Sequence, residues 1–552
     1  MRPVNRARIF SIAISTALCA GAHHADAVVT FGGTGSNTSA PPGNIANYEG
    51  VFDGAFTATP VSPNTILTSA HLNPGSTSTF VFNNGTSVST TYNVQIVATL
   101  DDLAVWEISP GQNETFSLTA PIYTGNAEQG ATIVDVGRGY SRGNATIGGW
   151  NWGSSQPALS WGESPVSAVP TDTQLGTSGS SGGDFLQFDF DNEDPLSPTF
   201  NANEAIVTPG DSGGGAFINV NGQYELAGIN SFYGVRVPVA GTDFNYSVTD
   251  SSGNAISATL DDTIGYDFLD AGTPVPITSD IPESSFATRI SSKQNFIDTA
   301  DGSLSASDVA AAPINNDGRF IVYSNLTTGA ITGGGSLQIG STSPVKLQIA
   351  PNSGTSVIQG FNIMAGSSID ITNNRVIINN AIAGTTEAWL IKCLVSGYNN
   401  GAWNGPGIDS STAAASDGTY GIGMVDANDP YTSGLSSGQV ELAYALYGDA
   451  NLDGVVNGID FMIMATHFNQ ATTAGWEAGD FNYSGSVNGA DFQLLANNFN
   501  QAYFPTADLT VISDFAVANS IPIYVPEPTA LLAIPLFCLA ARRRRKNRSP
   551  SP

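Results

Sequence analysis

Residues 209–215 read Pro-Gly-Asp-Ser-Gly-Gly-Gly, and this stretch indicates the fold of the first half of the chain. A serine between glycines on a tight turn can direct its own amide and that of Gly210 to one point. Those amides can then bind the negative oxygen that forms when the Ser212 hydroxyl attacks a carbonyl group. Because the chain contains 61 glycines, an ordinary surface turn is the alternative interpretation.

Two upstream segments favour the catalytic interpretation. His71 follows an apolar stretch, and Asp102 opens the segment Asp102-Leu-Ala-Val-Trp-Glu-Ile108. Serine hydrolysis needs an imidazole that accepts the hydroxyl proton near neutral pH, and His71 is the histidine available between the leader and Ser212. The order His71, Asp102, Ser212 is that of the chymotrypsin-type triad. Asp101 is a competing candidate, and we choose Asp102 because it directly precedes Leu-Ala-Val.

The chain resembles the trypsin/chymotrypsin family of serine proteases over about residues 45–298. Residues 58–71 look like the strand that leads into the family's histidine, and residues 226–233 look like the strand after its nucleophile. Residues 287–297 resemble the segment that closes the domain with a C-terminal helix. The resemblance implies two six-stranded antiparallel barrels with the triad at their junction. It also implies an endopeptidase that acts on a protein or peptide substrate through an acyl-enzyme intermediate.

The same resemblance assigns roles to individual residues. They are His71, Asp102 and Ser212 for catalysis, Gly210 and Ser212 for the oxyanion hole, and Ile206, Ser231, Phe232 and Tyr233 for the substrate pocket. An isoleucine at the pocket floor carries no charge to pair with a basic side chain, and a tyrosine narrows the wall. We therefore expect cleavage after apolar residues of modest size. Residues 234–282 form a long insertion relative to the family.

Asp211 raises the question of its partner, because family members hold this carboxylate in an ion pair and an unpaired buried carboxylate is costly. The candidate cations of the region are the amine released by leader cleavage and the side chains of Arg138, Arg142, Arg236, Arg289 and Lys293. We expect Arg138 or Arg142 to be the partner.

Both ends of the chain carry export signals. Residues 1–27 combine three arginines, an apolar run and the small-residue site Ala25-Asp26-Ala27, which predicts a signal peptide and a mature start at Val28. Residues 525–552 combine Val525-Pro-Glu-Pro-Thr529, a short apolar run and a basic cluster. They resemble a PEP-CTERM sorting signal, and a simple tail anchor is the alternative. Both predict a place in the bacterial cell envelope or outside it, with membrane contact through the C-terminal segment before processing.

The charge of the chain excludes one class of partner. Nine of the 18 basic residues and two of the 47 acidic residues lie in the two end segments, so residues 28–524 carry 9 basic and 45 acidic residues. A body this acidic repels phosphate backbones, which argues against nucleic-acid binding. The same charge favours binding of divalent cations.

Two twelve-residue loops have EF-hand spacing, with oxygen ligands at positions 1, 3, 5, 9 and 12 and glycine at position 6. The predicted ligands, including a backbone carbonyl at position 7, are Asp449, Asn451, Asp453, Val455, Asn457 and Asp460, then Asp480, Asn482, Ser484, Ser486, Asn488 and Asp491. Each loop runs into an apolar, helix-like segment. The pair resembles a type I dockerin over residues 446–502, which implies structural calcium and a possible cohesin-like partner.

Between these regions, residues 299–445 alternate apolar and polar residues in short runs, which predicts a β-rich domain, either a sandwich or an irregular β-stack. Residues 397–405 could form a sugar-binding aromatic loop, but we favour a packed tryptophan. The predicted fold is mainly β, in the order signal peptide 1–27, protease-like double barrel 28–298, β-rich domain 299–445, dockerin-like module 446–502, linker 503–524 and sorting segment 525–552. The competing function is an inactive protease-fold adhesin or structural surface protein.

Overall fold

The computed structural model describes residues 28–30, 37–146, 149–155, 158–171, 184–190, 201, 203–235, 248–249, 255–256, 258–260, 266–269, 273–276, 283–379, 387–431, 434–499 and 517–519. The predicted signal peptide and sorting segment lie outside these residues, as does the predicted linker apart from residues 517–519. Within the described residues, no helix has the length and apolar character needed to cross a membrane.

The first half of the chain is built from strands. They are β1 (Val29–Thr30), β2 (Gly50–Phe52), β3 (Phe56–Pro60), β4 (Thr65–Ser69), β5 (Thr77–Phe82), β6 (Thr90–Leu100), β7 (Leu103–Ile108), β8 (Thr132–Gly137), β9 (Tyr140–Thr146), β10 (Gly149–Ser155), β11 (Ser160–Ala168), β12 (Phe185–Phe190), β13 (Ala205–Ile206), β14 (Gly215–Val220), β15 (Gln223–Val235), β16 (Val248–Thr249), β17 (Ala255–Ile256), β18 (Ala258–Leu260), β19 (Tyr266–Leu269), β20 (Thr273–Pro276) and β21 (Glu283–Arg289).

Two six-stranded antiparallel barrels result. The first has the order β6-β5-β2-β3-β4-β7 and closes through a β6–β7 pairing, and the second closes in the order β11-β12-β21-β15-β14-β8. Alternation explains the strands, since Phe80 and Phe82 of β5 and Tyr92 and Val94 of β6 are buried in one aromatic and aliphatic core. The predicted chymotrypsin-like double barrel is therefore confirmed as the fold of this region.

A helix follows the last barrel strand, as the family resemblance implies. A 3-10 turn at Ser291–Lys293 leads into α1 (Gln294–Ala300), whose Phe296 and Ile297 are buried. The predicted insertion 234–282 contains β16 to β20, of which β18 pairs with β10 in a three-stranded sheet of order β18-β10-β9.

The second half begins with α2 (Ala306–Ala311) and continues through short strands and two further helices. They are β22 (Ile314–Asn315), β23 (Arg319–Val322), β24 (Leu326–Thr328), β25 (Ile331–Thr332), β26 (Ser336–Ile339), β27 (Lys346–Ile349), β28 (Thr355–Ile358), β29 (Gly360–Ile363), β30 (Ser368–Asp370), β31 (Arg375–Asn379), α3 (Glu387–Tyr398), β32 (Gly407–Asp409), α4 (Ser411–Ala414), β33 (Tyr420–Asp426) and β34 (Gln439–Leu446).

Strands β22 to β32 form a parallel stack, which we call the β-stack. The ladders β23-β26-β29, β24-β27-β30-β32, β22-β25 and β28-β31 are all parallel, so the chain coils and places each strand beside one of the preceding turn. Leu326, Leu347, Ile369 and Ile408 form one buried row of this coil. The β-rich prediction is confirmed, but the sandwich alternative is wrong, because alternation within a strand does not reveal the direction of its neighbour.

The β-stack continues the sheet of the first barrel. Strand β23 pairs antiparallel with β6, in the register Phe320 with Leu100 and Val322 with Ala98. At its other end, β31 pairs with β34, which forms an antiparallel hairpin with β33. Trp403 in the loop 397–405 is buried and donates to the Tyr447 hydroxyl (2.9 Å), as expected for a packed tryptophan.

The dockerin-like module completes the described chain. It contains α5 (Gly458–His467), β35 (Gln470–Ala471), a 3-10 turn at Gly475–Ala478, β36 (Ser486–Val487) and α6 (Gly489–Asn498). One cluster of buried apolar side chains runs from Leu67 in the first barrel through Phe217 and Phe320 to Phe499 at the end of the module. The barrels, the β-stack and the module therefore share a continuous core.

Candidate active site and calcium loops

The three predicted catalytic side chains lie in one hydrogen-bonded row. Nε2 of His71 is 2.8 Å from Oγ of Ser212, and Nδ1 of His71 is 2.9 Å from both carboxylate oxygens of Asp102. His71 comes from the turn after β4, Asp102 from the β6–β7 turn and Ser212 from the turn before β14. The first two therefore belong to one barrel and the third to the other, so the row lies where the barrels meet.

Backbone contacts hold the histidine and the aspartate together. The amide of His71 donates to Oδ1 of Asp102 (2.9 Å), and the amide of Ala70 donates to the carbonyl of Asp102 (2.9 Å). The hydroxyl of Ser231 also donates to Oδ2 of Asp102. The carboxylate of Asp102 is thus supported on several sides, as a group that orients an imidazole must be.

The environment of His71 favours its protonated form. Burial alone would lower the pKa of the imidazole, but the charge and the hydrogen bond of Asp102 outweigh it and raise the pKa above the ordinary value of 6.5. A raised pKa makes His71 a stronger base when it is neutral, which suits the removal of a proton from a serine hydroxyl.

The turn at Ser212 has an open pair of amides. Gly210 has a φ of 97° and Gly213 a φ of 85°, a region of backbone space that glycine adopts without strain. At Gly213 a Cβ atom would also lie 2.2 Å from the carbonyl oxygen of Thr57. In the described part of the chain, the amides of Gly210 and Ser212 donate to no protein acceptor, so both can bind a substrate oxygen.

Asp211 is fully buried and is held by donors from three segments. Its carboxylate accepts from the amide of Gly139 (2.6 Å), from the amide (2.7 Å) and hydroxyl (2.9 Å) of Thr208, and from the backbone nitrogen of Val28. Burial raises the pKa of Asp211 to about 7, against the lowering effect of these donors. Val28 is itself buried, and β1, which follows it, pairs with β13.

These contacts bear on the expected partner of Asp211. The charge of Arg138 acts on Glu49, whose pKa burial raises to about 8, and the side chain of Arg142 lies outside the described residues. The backbone nitrogen of Val28, the position of the amine that leader cleavage would release, is in contact with Asp211. The expectation of Arg138 or Arg142 as the partner stays a prediction, and the contact with Val28 favours the other candidate, the first residue after the predicted leader.

The predicted pocket residues fall into two groups. Ile206 is fully buried in β13, and Phe232 packs between Phe286 (4.7 Å between ring centroids) and Phe185 (5.2 Å). Ser231 instead directs its hydroxyl to Asp102, and the side chain of Tyr233 lies outside the described residues. The apolar preference of the pocket stays a prediction.

Sequence reasoning missed two residues that support this site. Ser231 is predicted only as a pocket residue, although a hydroxyl within the strand after the nucleophile is well placed to reach the triad. Thr208 was not considered, although a Thr three residues before a turn Asp is a common local hydrogen-bonding arrangement.

Both calcium loops have the predicted turn geometry. Gly454 and Gly485 at position 6 have φ values of 89° and 82°, and Leu452 and Tyr483 at position 4 also have positive φ. At position 12, Asp460 accepts from the amides of Ala450 (2.8 Å) and Asn457 (2.8 Å), which closes the first loop. The second loop repeats this with Asp491, which accepts from Asn482 and Asn488.

The electrostatics of the loops suit a cation. Burial, followed by the repulsion of Asp460, raises the pKa of Asp449 to about 7, and burial raises the pKa of Asp460 to about 6. Burial also raises the pKa of Asp491 to about 6, with repulsion from Asp480 adding to it. Within the described ranges, no three His, Cys, Asp or Glu side chains converge as metal ligands. The donor set of carboxylates, amides and carbonyls nevertheless fits calcium, which prefers oxygen ligands.

The module packs against the hairpin β33–β34 through its loops. The hydroxyl of Tyr483 donates to the carbonyl of Ile422 (2.6 Å), and a Cβ atom on Gly423 would lie 2.5 Å from Leu452. Trp476 is fully buried and donates to the carbonyl of Asp449 (2.6 Å). Position 4 of both calcium loops therefore touches the same strand, β33.

The fold defines the class of the first half: it is a chymotrypsin-like double-barrel protein. The C-terminal module is identified by comparison, since residues 447–500 match the family model of the dockerin type I domain. Dockerin type I domains bind calcium, pair with cohesin partners and occur in extracellular and cell-surface proteins. A search of curated proteins gives no match to this chain.

Proposed function

We propose that the chain is an exported serine endopeptidase of the cell envelope. The observation that supports this most directly is the hydrogen-bonded row Ser212, His71 and Asp102. Beside it lie the amides of Gly210 and Ser212, which donate to no acceptor among the described residues. Support at Asp102 from Ser231 adds to it. A surface turn would not require a histidine and a carboxylate from the other barrel at these distances.

In the proposed reaction, Oγ of Ser212 attacks the peptide carbonyl carbon while its proton moves to Nε2 of His71. Asp102 accepts a hydrogen bond from Nδ1–H and stabilises the imidazolium. The amides of Gly210 and Ser212 bind the oxyanion. His71 then protonates the leaving amine, the C–N bond breaks, and water hydrolyses the acyl-enzyme by the same steps in reverse.

Labelling with a fluorophosphonate probe tests this proposal. We expect the mature protein to label and the Ser212→Ala variant not to label. Ser78→Ala is the matched control, because Ser78 is a partly buried serine on β5 whose hydroxyl donates to Asp53, away from the triad. A wild-type protein that does not label, or labels equally with Ser212→Ala, would leave the inactive adhesin or structural protein as the better account.

A second candidate function, which can hold alongside proteolysis, is assembly through the dockerin domain. Two apolar side chains on α5, Ile459 and Met462, are 41% and 50% exposed. The corresponding positions of the second repeat, Ala490 and Gln493, offer a smaller and a polar side chain. We expect a cohesin-like partner to use the α5 face.

Calorimetric titration with a cohesin module in the presence of calcium tests this second function. Met462→Glu should weaken binding at least 10-fold, because it places a charge in an apolar contact. Gln493→Glu is the matched control, since it adds the same charge at the equivalent position of the other repeat. Equal effects of the two changes, or no binding by the wild-type protein, would refute the assignment.

A further inference from the structure

The turn that presents Asp102 contains a second buried carboxylate. Strand β6 ends at Leu100 and β7 begins at Leu103, so Asp101 and Asp102 form the connection between them. Both are buried, and Asp101 has a φ of 55°, which is unusual for a residue other than glycine. While Asp102 faces His71, Asp101 takes no part in the proposed reaction.

Asp101 is held from outside the barrel. Its amide donates to the carbonyl of Arg319 (2.9 Å), and its Oδ1 accepts from the amide of Arg319 (3.1 Å). Its Oδ2 is in contact with Nζ of Lys293, a buried lysine in the turn that precedes α1. Arg319 is the first residue of β23. The β-stack therefore holds this turn on one side, and the closing segment of the second barrel holds it on the other.

The electrostatics at this turn favour an ion pair between the Asp101 carboxylate and the Lys293 ammonium group. Burial raises the pKa of the Asp101 carboxyl, and the charge of Lys293 is the largest opposing effect. Removal of one partner from a buried ion pair leaves an uncompensated charge, which the chain must relieve by moving or by binding a proton. Movement of this turn would carry Asp102 with it, together with the amides of Ala70 and His71 that Asp102 holds.

We propose that Asp101, Lys293 and the backbone of Arg319 form a clamp that positions Asp102, which makes the β-stack a positioning element of the active site. This inference rests on the proposed endopeptidase function. It gives the β-stack a role in the reaction through Asp101 and Asp102, because Arg319 holds the turn that contains both aspartates. Asp101 and Lys293 act through Asp102 and are positioning residues.

Three variants of the full mature chain test the clamp. Lys293→Met should lower kcat about 10- to 100-fold, since a displacement of about 1 Å in an active site can cost that much, while KM stays within about two-fold. Lys293→Met with Asp101→Asn removes the unpaired charge and keeps the acceptor for the Arg319 amide, so most of the activity should return. Lys293→Met with Asp101→Ala removes that acceptor as well, and kcat should fall again by about 10-fold.

Lys346→Met is the matched control, because Lys346 pairs with Asp370 and Asp409 within the β-stack, away from the triad. It should leave kcat unchanged. A spectroscopic readout accompanies the kinetics: labelling of the mature chain with ¹⁵N-histidine gives signals from His71 and His467 alone, since the other two histidines lie in the predicted leader. Lys293→Met should shift the Nδ1–H signal of His71 and not that of His467.

The outcomes separate the clamp from the proposed function. A wild-type protein that fails to label with the fluorophosphonate probe refutes the endopeptidase function. The clamp is then tested by whether Lys293→Met shifts the Nδ1–H signal of His71. Wild-type kcat and an unchanged His71 signal in Lys293→Met would overturn the clamp even if the endopeptidase stands. If Lys293→Met does not fold, equal kcat values in the Asn and Ala double variants would overturn it.

Discussion

The contact between Val28 and Asp211 predicts that a free amine at Val28 stabilises the active conformation. We compare a chain that begins at Val28 with a chain that retains Ala27. In the first chain the backbone nitrogen of Val28 is an ammonium group beside the buried carboxylate of Asp211. In the second it is a neutral amide, and the nearest free amine lies one residue away, about 3.8 Å along the chain.

The size of the effect follows from the burial of Asp211. With a neutral amide at Val28, the pKa of Asp211 rises from 3.8 to about 7. At about 1.4 kcal/mol per pKa unit, burial of the ionised carboxylate costs about 4 kcal/mol at pH 8 and about 2 kcal/mol at pH 5. Because the folded pKa is raised, the folded state holds a proton that the unfolded state has lost between pH 4 and 7. Stability therefore falls as pH rises through that window.

Pairing with the Val28 ammonium should remove this loss of stability with rising pH, because an adjacent positive charge lowers the pKa of the Asp211 carboxylate. The stabilisation is present while the amine is charged and is lost as pH rises through the folded pKa of the amine, which the pairing raises above about 8. We expect the difference in melting temperature between the two chains to be larger at pH 8 than at pH 5, by roughly 4 to 8 °C. Labelling of Ser212 should be slower in the chain that retains Ala27, by up to about 10²-fold.

Calorimetric melting and fluorophosphonate labelling of both chains at the two pH values measure these effects. Asp211→Asn in both backgrounds is the control, since it should abolish the difference between the chains. Parallel melting curves at pH 5 and pH 8, with equal labelling rates, would refute the role assigned to the Val28 amine.

Three further predictions concern the triad and calcium. Ser231→Ala should lower kcat about 10-fold with little change in KM, because a hydrogen bond to the charged Asp102 is lost; an unchanged kcat would show that this contact is dispensable. The kcat/KM should rise with pH through a pKa above 6.5, the raised value of His71, which must be neutral to accept the proton; steady-state rates from pH 5 to 9 measure this. Chelation of calcium should speed amide hydrogen exchange in β33 as well as in the two calcium loops. Tyr483→Phe should weaken this coupling between the loops and β33 by about 1 kcal/mol, because the hydrogen bond to Ile422 is lost. Exchange changes confined to residues 449–460 and 480–491 would contradict the prediction.

The last of these predictions departs from what the sequence alone suggests. The sequence alone predicts that chelation loosens the dockerin-like module and leaves the protease domain folded and active. In the structure, Leu452 and Tyr483 touch β33, and the core of the module is continuous with that of the β-stack. Loss of calcium should therefore affect residues beyond the module, in β33.

Local sequence patterns determined much of this protein. The order and flanking residues of His71, Asp102 and Ser212 carry the resemblance to the trypsin/chymotrypsin family, and that resemblance implies the double barrel. The two calcium loops can be predicted from the sequence, because a twelve-residue loop supplies all of its own ligands. The dockerin match at residues 447–500 agrees with that spacing.

The tertiary structure decided which residues support these sites. Ser231 reaches Asp102 across 129 residues, and Arg319 reaches Asp101 across 218. The backbone nitrogen of Val28 contacts Asp211, and the strands of residues 314–409 stack in parallel where alternation allowed a sandwich. Alternation reports which face of a strand is buried but not which strand lies beside it. Contacts between distant segments depend on how the two barrels, the β-stack and the module close around one core.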